Sequence, residues 1–301
     1  MTGSTMPYYR RWLDENSGRI ENGAIPFDTS SLFETAIRPL DNGTVRDLVQ
    51  ELGCCKPPFA EMWIEHGDVA IIGPALRLSH RESLEGWSGS LEQAATDIMH
   101  ERYSLPKVQV DGVAERLVNI EPGGGVTLCE VPVGSHTHTI GHLFLLVGHR
   151  PDGSAIDISQ AIAAPRAGMT EALRDTAYFA RSSICVALFA CAVMHCKNVT
   201  TREEHLPRQL RRDRQRRGLP DIVYRTLVVG PSPGQSGGKG APKHEKTTRL
   251  HLCRGHFAEY GPDYGKGKLF GRLEGRYWVP PHVKGSADNG RVEKTYRVEA
   301  A

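Results

Sequence analysis

The chain has 301 residues, a formal net charge of +2, 39% hydrophobic residues and 24% charged residues. This length suits one large domain or two small ones, and the composition is that of an ordinary globular protein rather than a polycation. Seven irregularly spaced cysteines without a CxxC pair predict reduced thiols in a cytoplasm, not a disulfide framework, and the N-terminus lacks the apolar core of a signal peptide.

The N-terminal part predicts a mixture of helices and strands. Residues 42–53 predict a short helix that Gly53 ends. Residues 61–78 then predict strands around a turn, and residues 90–104 predict a helix with a capping box. Short β-like runs separated by glycine-bearing turns continue to about residue 149.

A long helix is predicted for residues 170–197. Its segment from Ile184 to Met194 is apolar nearly all round, which is typical of a central helix covered on most sides. A segment of this length spans only about 16 Å as a helix, roughly half of a bilayer core. We therefore expect a buried helix and no membrane partner.

The remaining residues predict a polar helix and several strands. The helix covers residues 203–218, with two glutamates in its first turn and Gly218 at its end. A strand follows, and residues 230–246 predict a flexible loop. Strands are predicted near TTRLHLCR, RYWVPPHV and RVEKTYRV, with a turn at Asn289-Gly290 between the last two.

These elements predict an α+β fold in two parts. Residues 1–198 form an N-terminal mixed α/β region that ends in the central buried helix. Residues 199–301 form a C-terminal unit, in which the basic helix is followed by an antiparallel sheet.

The polar helix is rich in arginine. Arginine stays charged at any working pH and grips phosphate with two parallel hydrogen bonds, so this density favours nucleic acid, RNA in particular, as a partner. The alternative is a solvated helix, supported by the neighbouring Glu203, Glu204 and Asp213, and the arginines point in several directions around the helix. The candidate nucleic-acid-binding residues are Arg208, Arg211, Arg212, Arg214, Arg216, Arg217 and, for stacking, Trp278.

The segment HLCRGHFAEY suggests acid–base chemistry. If His251 to Arg254 ends a strand, Gly255 permits a sharp turn that re-aims His256 towards it. Two histidines can serve as base and acid near neutral pH, and a cation can stabilise the charge on phosphorus, which is what a metal-independent endoribonuclease needs. The candidate catalytic residues are His251, Arg254, His256, Tyr260, His282 and Lys284, with Tyr260 or Trp278 to stack a base.

An ordinary surface is the alternative for the same segment. In that interpretation His256 caps a turn, Trp278 belongs to the core and Arg254 pairs with Glu259. A separate hypothesis concerns zinc: His136 and His138 would point the same way on a strand and, with His142, could offer three imidazoles. Otherwise the sequence predicts no cofactor.

The C-terminal third resembles a known group of proteins. The order of MHCKNV, the basic helix with its following strand, LHLCRGHFAEY, YWVPPHVKG and VEKTYRV, over roughly residues 185–298, is similar to a family of uncharacterised proteins from phages and bacterial prophages. The resemblance implies a bacterial or viral cytoplasm and no particular reaction. A looser likeness in fold, one helix followed by an antiparallel sheet with His, Arg and Lys, is to barnase- and RelE-type ribonucleases and toxins.

The hypotheses from the sequence are therefore three. The first is a cytoplasmic nucleic-acid-binding protein of phage or prophage type that also cleaves RNA without a metal. The second is a non-enzymatic protein that binds or blocks a host protein. The third is a zinc hydrolase or a zinc-stabilised fold.

Overall fold

The computed structural model describes thirteen stretches of the chain, and only these are discussed. They are residues 24–29, 52–65, 75–82, 109–111, 122–135, 138–164, 183–219, 221–230, 249–253, 255–261, 274–279, 282–284 and 286–291. Within them helix and strand are mixed and sheet predominates, which is compatible with the predicted α+β class. Several predicted features lie outside these residues, among them the helix at 90–104 and nearly all of the loop at 230–246.

The larger sheet contains nine strands. In chain order they are β1 (Ile25–Asp28), β2 (Glu61–Glu65), β3 (Ala75–Arg81), β4 (Gln109–Asp111), β5 (Gly125–Ser135), β6 (His138–His149), β7 (Ala155–Ala164), β8 (Val199–His205) and β9 (Val223–Val229). Their order across the sheet is β4-β7-β6-β5-β3-β2-β1-β9-β8.

Most neighbours in this sheet are antiparallel, and β1 is the exception. The β2–β3, β3–β5, β5–β6, β6–β7 and β4–β7 pairs all run antiparallel. In contrast, β1 runs parallel to β2 and to β9, with Phe27 opposite Arg225. Local sequence patterns cannot predict such a pairing between distant parts of the chain.

The core of this sheet is covered on both faces. Every residue of 125–131 and 142–149 is buried, although residues alternate between the two faces along a strand. Helix α1, described over residues 183–194, is buried along residues 183–193, as expected from its apolar surface. In the part of the chain that the structure describes, no helix combines the length and the apolar character needed to cross a membrane.

The basic helix, α2 (Arg208–Arg216), lies between β8 and β9. We predict Glu203 and Glu204 in its first turn, and this is wrong: both lie in β8, and the helix begins after Pro207 with no acidic residue in its first turn. Proline lacks the backbone N–H that a helix interior requires but suits a helix start. The predicted end is confirmed, because Gly218 has a φ of 69° and closes the helix.

The C-terminal strands form two small sheets instead of the single antiparallel sheet that we predict. One sheet has the order β13-β10-β14, from β13 (His282–Lys284), β10 (Arg249–Cys253) and β14 (Ser286–Arg291). In it β10 runs antiparallel to β13 and parallel to β14. The other is the antiparallel pair of β11 (His256–Tyr260) and β12 (Gly275–Val279). The predicted turn at Asn289-Gly290 instead lies in β14.

The chain divides into two compact units. Unit 1 comprises Met1–His195 and Thr201–Leu227, and unit 2 comprises Cys196–Thr200 and Val228–Ala301. Our predicted boundary near residue 199 assigns the basic helix to the C-terminal part, whereas α2 and most of β9 group with unit 1. The reason is that β9 pairs with β1 in the large sheet.

Candidate functional site

The arginines of α2 differ in their surroundings. Arg214 is only 4% exposed and shares a helix face with the partly buried Leu210, four residues earlier. It is therefore part of the contact between α2 and the rest of unit 1. Arg211 lies on the flank, with its Nη1 3.9 Å from Oδ2 of Asp221. The buried Arg214 is therefore not placed like a phosphate contact, whereas Arg211 is exposed but lies on another side of the helix than the residues described next.

Three other arginines of α2 form one line along the solvent side. Arg208, Arg212 and Arg216 are exposed and follow one another at intervals of four residues, so each lies about one turn, or about 6 Å, beyond the last. This side is opposite to the face that carries Arg214. We call these three residues the arginine row. Arg217, also exposed, caps the helix on another side.

Acidic neighbours reduce the charge of the arginine row only slightly. Arg216 Nη1 lies 3.5 Å from Oδ1 of Asp213, and both side chains are largely exposed. Surface ion pairs of this kind contribute little and exchange readily with other anions. The row therefore keeps its capacity to bind an anionic ligand.

In unit 2 the register of β10 and β13 brings three predicted catalytic residues together. His251 is the Cα partner of Lys284, and Cys253 is the Cα partner of His282. Partner positions of an antiparallel pair lie on the same face, as do positions two residues apart on one strand. The positions of His251 and His282 are diagonal on this face, which places them about 7–8 Å apart. Arg254 lies outside the described residues.

His256 and Tyr260 belong to the other small sheet. His256 is exposed, and the ring of Tyr260 packs edge-on against Tyr277 with centroids 5.3 Å apart. The two positions share a face of β11, but four residues of strand separate them by about 13 Å. They are therefore too far apart to act on one phosphate group together.

Trp278 has a structural environment. It is 4% exposed, and its ring lies 4.9 Å from that of Phe257, its cross-strand partner. A ring covered in this way offers little surface to a nucleic-acid base, and the stacking role of Trp278 stays a prediction. The alternative in which Trp278 belongs to the core describes it better. Glu259, which that alternative pairs with Arg254, lies 3.3 Å from Nε of Arg276.

The predicted zinc ligands are described only in part. His136 lies outside the described residues, and of His138 only the backbone, in β6, is described. His142 is buried, with its Nδ1 3.1 Å from Oε1 of Glu130. Among the side chains that the structure describes, no group of three His, Cys, Asp or Glu residues is arranged to hold a metal ion. The zinc hypothesis stays a prediction.

Sequence reasoning missed a buried chain of polar groups in unit 1. Thr127 Oγ1 lies 2.9 Å from His80 Nδ1 and 2.8 Å from His149 Nε2. The other nitrogen of His149, Nδ1, lies 3.3 Å from the carbonyl oxygen of Gly153. We call His80, Thr127 and His149 the histidine relay. Its members lie on β3, β5 and β6, and only their pairing in the sheet brings them together, so no local motif signals them.

Burial keeps the two histidines of the relay neutral. Desolvation, and next the positive charge of Lys56, lower the pKa of His80 to about 4. Desolvation, and next the proximity of His80, lower the pKa of His149 to about 4 as well. The thiol pKa of Cys129 on β5 is raised by burial and by the nearby thiols of Cys55 and Cys185, so the Cys129 thiol is protonated and unreactive.

Comparisons of the chain with protein-family models, with curated proteins and with solved structures found no match. Three places carry polar groups suited to a ligand: the arginine row and the histidine relay in unit 1, and the β10–β13 face in unit 2.

Proposed function

We propose that the protein binds nucleic acid, RNA in particular, and that the arginine row is its phosphate-binding surface. The observation that supports this most directly is the exposed, regular spacing of Arg208, Arg212 and Arg216 on the side of α2 that faces away from the buried Arg214. Guanidinium groups one helical turn apart can contact successive phosphates of a strand. Each phosphate that an arginine neutralises releases counterions, which favours binding at low salt.

The arrangement of the remaining arginines supports the same proposal. Arg214 is buried, and Arg211 lies on the flank of α2 beside Asp221, so the arginine row is the side of α2 with three exposed arginines in line. Glutamates on β8 already have partners: Glu204 is 2.6 Å from Arg202, and Glu203 is 3.3 Å from Arg225. Their charges are thereby partly balanced and repel a polyanion less.

The test is binding of a short fluorescent RNA, followed by anisotropy, to the parent and to a variant with Arg208, Arg212 and Arg216 changed to Gln. We expect the variant to bind at least about tenfold more weakly at low salt. A matched control removes three exposed cations elsewhere, Arg81, Arg150 and Lys197, and keeps most of the affinity. Equal loss in both variants would mean that only total charge matters.

The same assay separates this proposal from binding to a host protein. An acidic protein surface would also contact arginines, and salt would weaken both kinds of complex. RNA or DNA that fails to bind the parent at micromolar concentration at low salt would favour the host-protein alternative. The setting that we propose is a bacterial cytoplasm, with a phage or prophage gene as its source.

Cleavage of RNA is the second part of the proposal, and the register of β10 against β13 supports it. The positions of His251 and His282 are diagonal on one face, and that of Lys284 is directly opposite His251. One imidazole would take the proton of the ribose 2′-hydroxyl as its oxygen attacks phosphorus. The other would protonate the departing 5′-oxygen, and the lysine would stabilise the added charge. The products would be a 2′,3′-cyclic phosphate and a free 5′-hydroxyl.

This mechanism excludes DNA as a substrate, because DNA lacks the 2′-hydroxyl. We expect RNA cleavage that persists in a chelator, and His251→Ala and His282→Ala variants that each lose at least about a hundredfold in rate. His205→Ala changes an exposed histidine of β8 in unit 1 and serves as the control. His256→Ala tests the remaining predicted histidine, on β11. Full cleavage by the His251→Ala protein would overturn the assignment.

A further inference from the structure

The hydrogen bonds of the histidine relay fix which nitrogens carry protons. The carbonyl of Gly153 can only accept, so Nδ1 of His149 donates to it. Neutral His149 then accepts at Nε2 from the hydroxyl of Thr127. The hydroxyl oxygen in turn accepts from Nδ1 of His80. This direction of the hydrogen-bond chain leaves Nε2 of His80 unprotonated, with its lone pair available.

That nitrogen is buried and has no hydrogen-bond partner among the described residues. The side chain of His80 is 6% exposed, and its Nε2 makes no hydrogen bond to any of them. The ring lies directly over Gly125, where a Cβ atom would come within 2.7 Å of Cε1 of His80. A buried polar atom without a partner is costly and uncommon, and a bound water, ion or ligand is one explanation for it.

An exposed carboxylate lies next to the bare nitrogen. Oε1 of Glu82 is 2.7 Å from Nζ of Lys56 and 3.8 Å from Nε2 of His80. One oxygen atom thus lies between an ammonium group and an imidazole. Glu82 itself is 69% exposed, so little holds its side chain there except Lys56.

We propose that Lys56 and His80 form a binding site for a phosphate group, and that Glu82 occupies this site when no ligand is bound. A phosphate oxygen would replace the Glu82 oxygen beside Lys56. Nε2 of His80 would take one proton from solvent and donate it to the ligand, which gives the buried nitrogen its missing partner. The hydrogen bonds through Thr127 to His149 and Gly153 would orient the imidazole for this contact. The site is independent of the proposed RNA-binding surface.

The charges around His80 act on its protonation in opposite directions, and a bound phosphate would add to the favourable side. The described titratable groups that interact with it are His149 from β6, Lys56 from the segment before β2, and Glu82 beyond the end of β3. Lys56 opposes protonation of His80, and Glu82 favours it. A phosphate dianion carries more negative charge than the carboxylate that it replaces, so it would favour the protonated imidazole further.

The test uses long-range ¹H–¹⁵N spectra of the full-length protein labelled at histidine, titrated with inorganic phosphate and, separately, with adenosine 5′-monophosphate. The two ligands distinguish free phosphate from a phosphate monoester. We expect Nε2 of His80 to change from an unprotonated to a protonated signal as the ligand binds. The His80→Gln variant assigns the signal.

Variants of the two charged neighbours sharpen the test. Glu82→Ala removes the carboxylate that competes with phosphate for the site, so we expect phosphate to bind about tenfold more tightly. Lys56→Met removes the ammonium group and should abolish phosphate binding. As a control, Glu204→Ala removes the partner of Arg202 in another exposed ion pair. We expect this variant to bind phosphate no more tightly than the parent. The proposal fails if neither ligand protonates His80, or if the affinity is unchanged by Glu82→Ala and Lys56→Met.

Discussion

At the scale of single residues, the histidine relay makes the stability of unit 1 depend on pH. His149 is fully buried, and its folded pKa of about 4 lies below the ordinary 6.5. The unfolded chain therefore binds more protons between about pH 6.5 and pH 4, and stability falls as the pH falls through that window.

We expect the free energy of unfolding to be highest above about pH 6.5 and to decrease by about 3 kcal/mol from His149 alone on acidification to pH 4. Urea denaturation at a series of pH values measures this decrease. The His149→Gln variant, which keeps a hydrogen-bonding side chain, should show a flatter profile. An equally steep profile in that variant would assign the pH dependence to other groups.

In unit 2, the side chain of Asn198 connects its own segment to strand β12 through hydrogen bonds. Its side-chain amide accepts from the backbone N–H of Trp278 at 2.9 Å and donates to the Trp278 carbonyl at 2.8 Å, like a neighbouring strand. Its backbone carbonyl accepts from the N–H of Gly230 at 2.6 Å. The segments CKNV and YWV, which are distant in the sequence, are therefore in direct contact.

Replacing Asn198 should destabilise unit 2. Asn198→Ala leaves both backbone groups of Trp278 without these partners, and we expect a loss of about 2–3 kcal/mol. Asn198→Asp keeps the acceptor but places a carboxylate beside the Trp278 carbonyl, so it should be no better. Hydrogen exchange of the Trp278 amide is the direct measurement, and unchanged protection in Asn198→Ala would contradict this role.

At the scale of elements, the turn between β6 and β7 depends on Gly153. Its φ is 81°, and a Cβ atom there would lie 2.5 Å from Sγ of Cys54. Its carbonyl accepts from the backbone N–H groups of Cys55 and Lys56 as well as from His149. The turn thus connects the large sheet to the segment that carries Lys56.

Gly153→Ala should cost about 3–4 kcal/mol, since a left-handed alanine costs about 1–2 kcal/mol and the contact with Cys54 adds strain. Gly218→Ala is the matched control: its φ is 69°, but a Cβ atom there meets nothing within 4 Å. This variant should lose only the free energy that a left-handed alanine backbone costs, about 1–2 kcal/mol. Equal losses in denaturant midpoints would show that the contact with Cys54 is unimportant.

Local elements could be predicted from the sequence where their patterns were strong. The apolar run of α1, the strand β9 and the glycine that ends α2 all lie where periodicity and composition place them. The start of α2 was mistaken because the two glutamates suit a first turn as well as an exposed strand. The strand β14 was mistaken for a turn because Asn-Gly favours turns locally, while pairing with β10 favours extension.

At the scale of the whole molecule, the pairing of distant strands determines features that local sequence patterns could not predict. The parallel pairing of β1 with β9 groups α2 with unit 1, and the register of β10 with β13 selects His251, His282 and Lys284 out of a longer candidate set. Burial then separates Arg214 and Trp278 from the exposed candidates. Residue types therefore suggested the chemistry, but contacts between distant segments determine which residues are available for it.

The salt dependence of RNA binding tests the central claim most directly. The logarithm of the association constant should fall linearly with the logarithm of salt concentration, by about 0.7 for each phosphate contact on a single strand. If Arg208, Arg212 and Arg216 each neutralise one phosphate, changing all three to Gln should reduce the magnitude of the slope by about 2. A variant that keeps both the affinity and the slope of the parent would contradict the claim that α2 binds nucleic acid.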